Sequence, residues 1–141
     1  MAMTLAEIEL ALKKMVREGY VLSLSEGSCA VDVELPNGLG GMETVTVPVL
    51  VKQSHTNKDY WMPEVGEKVT CVFLPPLCTS GFCLGSSYAD DQPPAASAEV
   101  RKVKFNDQTT VEYNRGTHTL KIACSGPVEV SGSKISIKTV T

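Results

Sequence analysis

The chain switches its hydrophobic rhythm once, close to its start. Over residues 4–18, Leu5, Ile8, Leu12, Met15 and Val16 recur at helical spacing and share one stripe. Thr4 and Glu7 have capping-box spacing, in which each side chain satisfies a free backbone amide at the helix start. Glu7 and Glu9 sit early while Lys13, Lys14 and Arg17 sit late, which complements the helix dipole, and Gly19 is a natural C-cap. The pattern predicts one amphipathic helix over 4–18. Its stripe packs either on its own domain or against a neighbouring subunit.

From residue 20 a period of two takes over. Runs at 20–25 and 29–35 are joined around Glu26-Gly27-Ser28 as a hairpin. In the second, Cys29, Val31, Val33 and Leu35 alternate with Ala30, Asp32 and Glu34, as in a half-buried strand. A Gly-rich turn through Gly41 leads to a run at 42–52, with Val45, Val47, Val49 and Val51 on one face. Residues 53–60 are polar and loop-like. Further strands are expected at 68–74 and 82–88, split by Pro75-Pro76 and Gly81. Five short strands with Gly and Pro turns suit a small closed or sandwiched sheet, of which the OB-type barrel is one form.

The stretch from Asp90-Asp91 through Pro93-Pro94 to Ser97 has no periodicity and reads as a linker. Short β-runs then follow at 100–105, 108–113, 118–123, 127–131 and 134–140. Leu120, Ile122 and Cys124 alternate with Thr119, Lys121 and Ala123. Val128 and Val130 flank Glu129, and Ile135 and Ile137 alternate with Ser136 and Lys138. One face is apolar throughout, with no helix to cover it. A unit of 42 residues rarely buries enough surface to fold unaided. Self-association about an axis would bury every apolar face together and leave the charged faces outward.

Charge sharpens this division. The formal net charge of −3 separates into −7 over residues 1–99 and +4 over 100–141. The whole is acidic, unlike most proteins that wrap nucleic acid. Hydrophobic residues make up 43%, too many for a disordered chain. No apolar run approaches the ~20 residues of a membrane span, and no long apolar leader opens the sequence, so a soluble protein made in the cytoplasm is expected. Cys29, Cys71, Cys78, Cys83 and Cys124 are odd in number and irregular in spacing, which fits reduced core thiols rather than a disulfide framework. Cys78 and Cys83 are the one close pair, without the second pair a zinc site needs.

Four stretches, taken in order, carry a family resemblance. The first is the N-terminal helix running into Arg17-Glu18-Gly19-Tyr20-Val21. The second is Trp61-Met62-Pro63-Glu64-Val65-Gly66-Glu67-Lys68-Val69. The third is Gly81-Phe82-Cys83-Leu84-Gly85-Ser86-Ser87-Tyr88 with Asp90-Asp91-Gln92-Pro93-Pro94 behind it. The fourth runs from Val103-Lys104-Phe105-Asn106-Asp107 through Val111-Glu112-Tyr113 to Thr117-His118-Thr119-Leu120. Together they resemble the baseplate assembly protein V family, the central spike proteins of contractile-tailed phages.

The resemblance implies a mainly β fold in four parts. These are an N-terminal helix (1–19), an OB-fold-like domain (20–90), a linker (91–99) and a C-terminal trimeric β-helix or β-prism (100–141). It supplies the number three for the self-association, and the expected trimer core is Val111, Tyr113, Leu120, Ile122, Val128, Val130, Ile135 and Ile137. It implies a virion tail or tail-like particle baseplate as location. It also implies contacts with other baseplate and tail-tube hub proteins, and transient contact with the target cell envelope on contraction. Longer members end in a His-x-His element that binds iron at the tip. Here the histidines are His55 and His118, neither with a second His two residues on, so no metal site is carried over. A separate tip-capping protein is expected beyond Thr141.

Catalysis is not expected. Two histidines in unrelated contexts supply no nucleophile, base and orienting group, Asp90-Asp91 adjoin prolines, and Gly38 to Gly41 lacks a phosphate-loop ending. No cofactor is implied. The alternative is an OB-fold binding module for single-stranded nucleic acid or oligosaccharide. That use wants a basic groove with stacking aromatics. The candidate barrel is acidic, and Tyr20, Tyr60, Trp61, Phe73, Phe82 and Tyr88 are scattered along it.

Overall fold

The computed structural model describes residues 2–89 and 91–141. Asp90, part of the expected linker and of the Asp90-Asp91 pair, lies outside the described residues. The chain forms two compact units, Met1–Asp90 and Asp91–Thr141.

The first unit opens with helix α1 (Leu5–Met15), and its capping box forms as the spacing predicts. The helix stops earlier than expected, and Gly19 is not its cap. Strand β1 (Val16–Ser25) begins immediately, because Val16 to Tyr20 pair with Val72 to Lys68. A Cβ on Gly19 would stand 2.0 Å from the Glu34 carbonyl oxygen, so glycine is needed there for close approach of the neighbouring strand.

A 3-10 turn at Glu26–Ser28 leads into β2 (Ala30–Pro36), followed by β3 (Met42–Pro48), β4 (Lys68–Phe73) and β5 (Gly81–Ser86). All ladders are antiparallel, in the order β3-β2-β1-β4-β5. The sheet then closes on itself. Val49, just past β3, bridges Cys83 of β5 in parallel, and the Leu50 amide donates to the Cys83 carbonyl at 3.0 Å. Register shifts between Val21 and Ser23 and between Thr70 and Cys71 bend β1 and the β4–β5 pair, which helps so small a sheet to curl.

Inside lie Val21, Val31, Val33, Leu35, Val47, Val69, Cys71, Phe73, Cys78 and Cys83, with Met15, Leu24, Val45, Val49 and Met62 packed around them. All five cysteines are free thiols, and three belong to this core. Cys71 and Cys83 face each other across β4 and β5. The contact with Cys83, together with burial, pushes the Cys71 thiol well above its ordinary value. Cys78 lies apart from this pair and directs its thiol toward the Ala11 carbonyl at 3.6 Å, below α1.

One charge shares the core. Arg17 is 4% exposed. Its guanidinium lies 4.1 Å over the Phe73 ring, and Nη1 donates to the Pro36 carbonyl at 2.9 Å and to Glu43 Oε1 at 2.5 Å. Lys14 on α1 reaches the same Glu43 oxygen at 3.3 Å. A buried cation without its counter-ion is expensive, so Glu43 clamps helix, β1 and β3 together. The hydrogen bond from Arg17, then the charge of Lys14, holds the Glu43 carboxyl below its ordinary value despite partial desolvation.

The second unit is a meander of β6 (Val100–Lys104), β7 (Thr110–Asn114) and β8 (Thr119–Ala123), in that order. The strands expected at 127–131 and 134–140 are absent; no strand is assigned past Ala123. A strand exists by its ladder, and a single chain offers these segments no partner.

Replacing Glu43 by Gln leaves Arg17 buried beside a neutral group. The variant should lose about 2–3 kcal/mol at pH 7, toward the low end for a broken buried pair because Glu43 is partly exposed. A carboxyl held low in the folded state stabilises above its unfolded value near 4.5 and stops doing so as pH falls through the folded value. Denaturant melts should therefore show the gap between the two proteins closing as pH falls below the ordinary carboxylate range. A gap independent of pH would show that Arg17 does not depend on the Glu43 charge.

Candidate assembly surfaces

The register of the meander sorts its side chains by face. Val103 pairs with Val111 and Val111 with Ile122; Tyr113 pairs with Leu120. These five apolar side chains therefore share one face, with Arg101 at its edge opposite Tyr113, and all are exposed in the single chain. The opposite face carries Lys102, Glu112 and Lys121 in one cross-strand row, with alternating sign.

The turns are pinned by polar contacts. Glu99 receives Arg115 through two bonds, Nε to Oε2 at 2.7 Å and Nη2 to Oε1 at 3.2 Å, which ties the entry of β6 to the turn after β7. Asp107, between β6 and β7, accepts from the Thr109 amide at 2.9 Å and from the Ser125 hydroxyl at 2.8 Å. These bonds, the Thr109 amide foremost, hold its carboxyl below the ordinary range. They also bring the segment after β8 back to the first turn. Gln108 and His118 adopt left-handed backbone conformations in the two turns. His118 is thus an exposed turn residue, displaced from the alternation of Leu120 and Ile122.

Beyond Ala123, Val128, Val130, Ile135 and Ile137 are exposed, Ile137 by 93%. All eight side chains expected in a trimer core, from Val111 to Ile137, thus lack an intrachain cover. Four of them, Val111, Tyr113, Leu120 and Ile122, are brought onto one face; the other four stand on the unladdered tail.

The barrel has an uncovered surface of its own. Helix α1 rests on Ala11, with Leu10, Lys14 and Met15 partly covered, whereas Leu5, Ile8 and Leu12 face solvent. The stripe expected from the sequence exists, but its centre points away from the core. Along the outer wall, exposed Val16 pairs with Val72 and Val72 with Phe82.

No group of three or more Cys, His, Asp or Glu side chains suited to a metal occurs among the described residues. Among them, too, no helix is long and apolar enough to cross a membrane.

The described residues thus form a small closed barrel and a three-stranded meander with an exposed apolar row. No family model matches the chain. The spike protein of Escherichia phage P2 is 27% identical over 146 residues, covering 96% of this chain and 66% of that protein's length. The chain spans just under two thirds of that relative, and the similarity supports a relationship with the baseplate spike family.

If the meander's apolar face is covered in solution, the two sides of β8 should respond differently to substitution. Ile122→Asp would bury an unpaired carboxylate and should cost about 3 kcal/mol per chain or more. Lys121→Ala removes one member of a solvent-side charge row and should change stability by under about 1 kcal/mol. Thermal melts of the two variants check this; equal losses would mean that the faces are not distinguished.

Proposed function

We propose that this chain is a structural, non-enzymatic component of a contractile tail baseplate: a homotrimeric central spike that caps the tail tube and helps to pierce the target envelope on contraction. The observation that carries the reading is the uncovered apolar face of the meander, Val103, Val111, Tyr113, Leu120 and Ile122, continued by a laddered-nowhere tail with Val128, Val130, Ile135 and Ile137. Similarity over nearly the whole chain to a phage spike protein supports this reading. Three copies about an axis would join their apolar faces inside a β-prism. Residues 127–140 would find in neighbouring chains the ladder partners they lack in their own. Val111, Tyr113, Leu120, Ile122, Val128, Val130, Ile135 and Ile137 would then form the trimer core.

The barrel fits the same role. Its five antiparallel strands in the order β3-β2-β1-β4-β5, closed through the Val49–Cys83 bridge, support reading it as an OB-type barrel. A wall tied on every side by hydrogen bonds is a stiff base for a spike, and α1 and the outer wall are available to neighbouring baseplate and hub proteins. The barrel's buried charge is engaged with Glu43, and its buried thiols lie in the core.

Light scattering on the purified chain at micromolar concentration should give about 45 kDa, three times the 15.1 kDa chain mass. Hydrogen exchange should find the amides of residues 127–140 protected to the level of the β7 amides, since intermolecular ladders would make them part of the same cooperative unit. A monomer whose tail exchanges freely would sink the trimeric spike.

A further inference from the structure

We infer that α1 is a second interface between copies: the outward stripe of one copy's helix seats in the apolar groove beside the helix of the next. This rests on the trimeric reading above and adds the contact that would join the barrels. A cyclic assembly is held by head-to-tail contacts, so each copy must carry two different, complementary patches. The barrel unit carries such a pair on opposite flanks of one helix. The convex patch is Leu5, Ile8 and Leu12, with Leu5 86% and Leu12 67% exposed. The concave patch is a groove of about 320 Å³ lined mainly by Met3, Leu10, Ala11, Pro76 and Leu77. Its lining also includes Glu7 and Lys14, one charge of each sign. The helix that would enter it bears Glu9 and Lys13, which pair with each other at 3.2 Å. Neither partner would bring an unbalanced charge to the contact.

Chain connectivity favours another copy as the occupant over an unrelated protein. Thirteen residues, 87–99, separate β5 from β6. Three meanders joined on an axis would therefore hold three barrels on short tethers, at an effective concentration on the order of millimolar. Modest apolar patches that would be too weak between free molecules associate under that condition. Gly38, at φ +82°, lets the loop after β2 lie against Leu10, one of the groove's lining residues; a Cβ there would come within 2.8 Å of the Leu10 side chain.

A photo-crosslinking residue, p-benzoyl-phenylalanine, placed at Leu12 in the full chain tests the contact. Irradiation of the purified protein should give dimer and trimer bands on a denaturing gel. Peptide mapping should locate the adduct at residues 2–14 or 74–78 of another copy. Light scattering on the same sample separates the two proposals. A trimer with adducts confined to one chain, or mapping elsewhere, overturns the helix interface and leaves the trimeric spike standing. A monomer overturns both. Adducts that form only in whole particles, to a different protein, would also overturn it. As a second measurement, Leu12→Glu should raise the concentration at which the trimer dissociates at least tenfold, and Lys52→Ala, away from both patches, should leave it unchanged.

Discussion

A sheet with one apolar face is stabilised by having that face covered, and the two units of this chain differ in whether they cover it themselves. In the barrel the sheet is its own cover. The bend at the β1 register shift and the bridge from Val49 to Cys83 bring the last strand round to the third, so Val31, Val33, Val47 and Val69 look inward at one another. Once closed, almost every strand has two neighbours, and little edge remains to recruit another molecule. The meander has three strands, too few to close, and its apolar row from Val103 to Ile122 stays open.

Closure of the barrel has a cost that falls on one residue. At the end of the barrel under α1, the inward position on β1 is held by Arg17 rather than an apolar side chain. Its Nε and Nη2 lack hydrogen-bond partners within the protein, while Nη1 has two. A hydrophobic residue there would be cheaper in free energy. What the arginine supplies is direction. Through Glu43 and Lys14 it fixes the helix to β3, and through the Pro36 carbonyl it fixes the end of β2. A helix held this way keeps one chosen flank outward, which apolar contact alone does not specify so sharply. The outward placement of Leu5 and Leu12 thus follows from the polar anchor beneath.

These two arrangements were legible in the sequence to different degrees. Alternation located all five barrel strands and the first three of the meander, because each has a buried or apolar face that period two exposes. The capping box located the start of α1. Its end was not legible: Met15 and Val16 continue a helical spacing, and Gly19 mimics a cap, so local signals favoured helix through residue 18. The winning term is the ladder of Val16–Tyr20 with β4, a contact some fifty residues distant. Arg17 was hidden by the same error, since only its strand parity with Gly19 and Val21 reveals that it points inward. The helix stripe was visible, but periodicity cannot say on which side of an apolar stripe the core lies. The tail strands were read from alternation alone, and alternation is silent on whether the ladder partner belongs to the same chain.

The charged face of the meander is the complement of its apolar face. Lys102, Glu112 and Lys121 lie in one row across three strands, so each cross-strand neighbour has the opposite sign. Slipping a strand by one residue would turn Glu112 to the apolar side and carry Tyr113 or Val111 into the charged row. The row therefore opposes the nearest wrong register while the apolar side rewards the right one. A slipped meander would present a face in which charged and apolar side chains alternate, in place of the continuous apolar row. The polar turns act in the same direction. Glu99 with Arg115, and Asp107 with Thr109 and Ser125, set the loop geometry on which hairpin register depends. A single chain thus fixes the pattern of its apolar face by contacts within the meander itself.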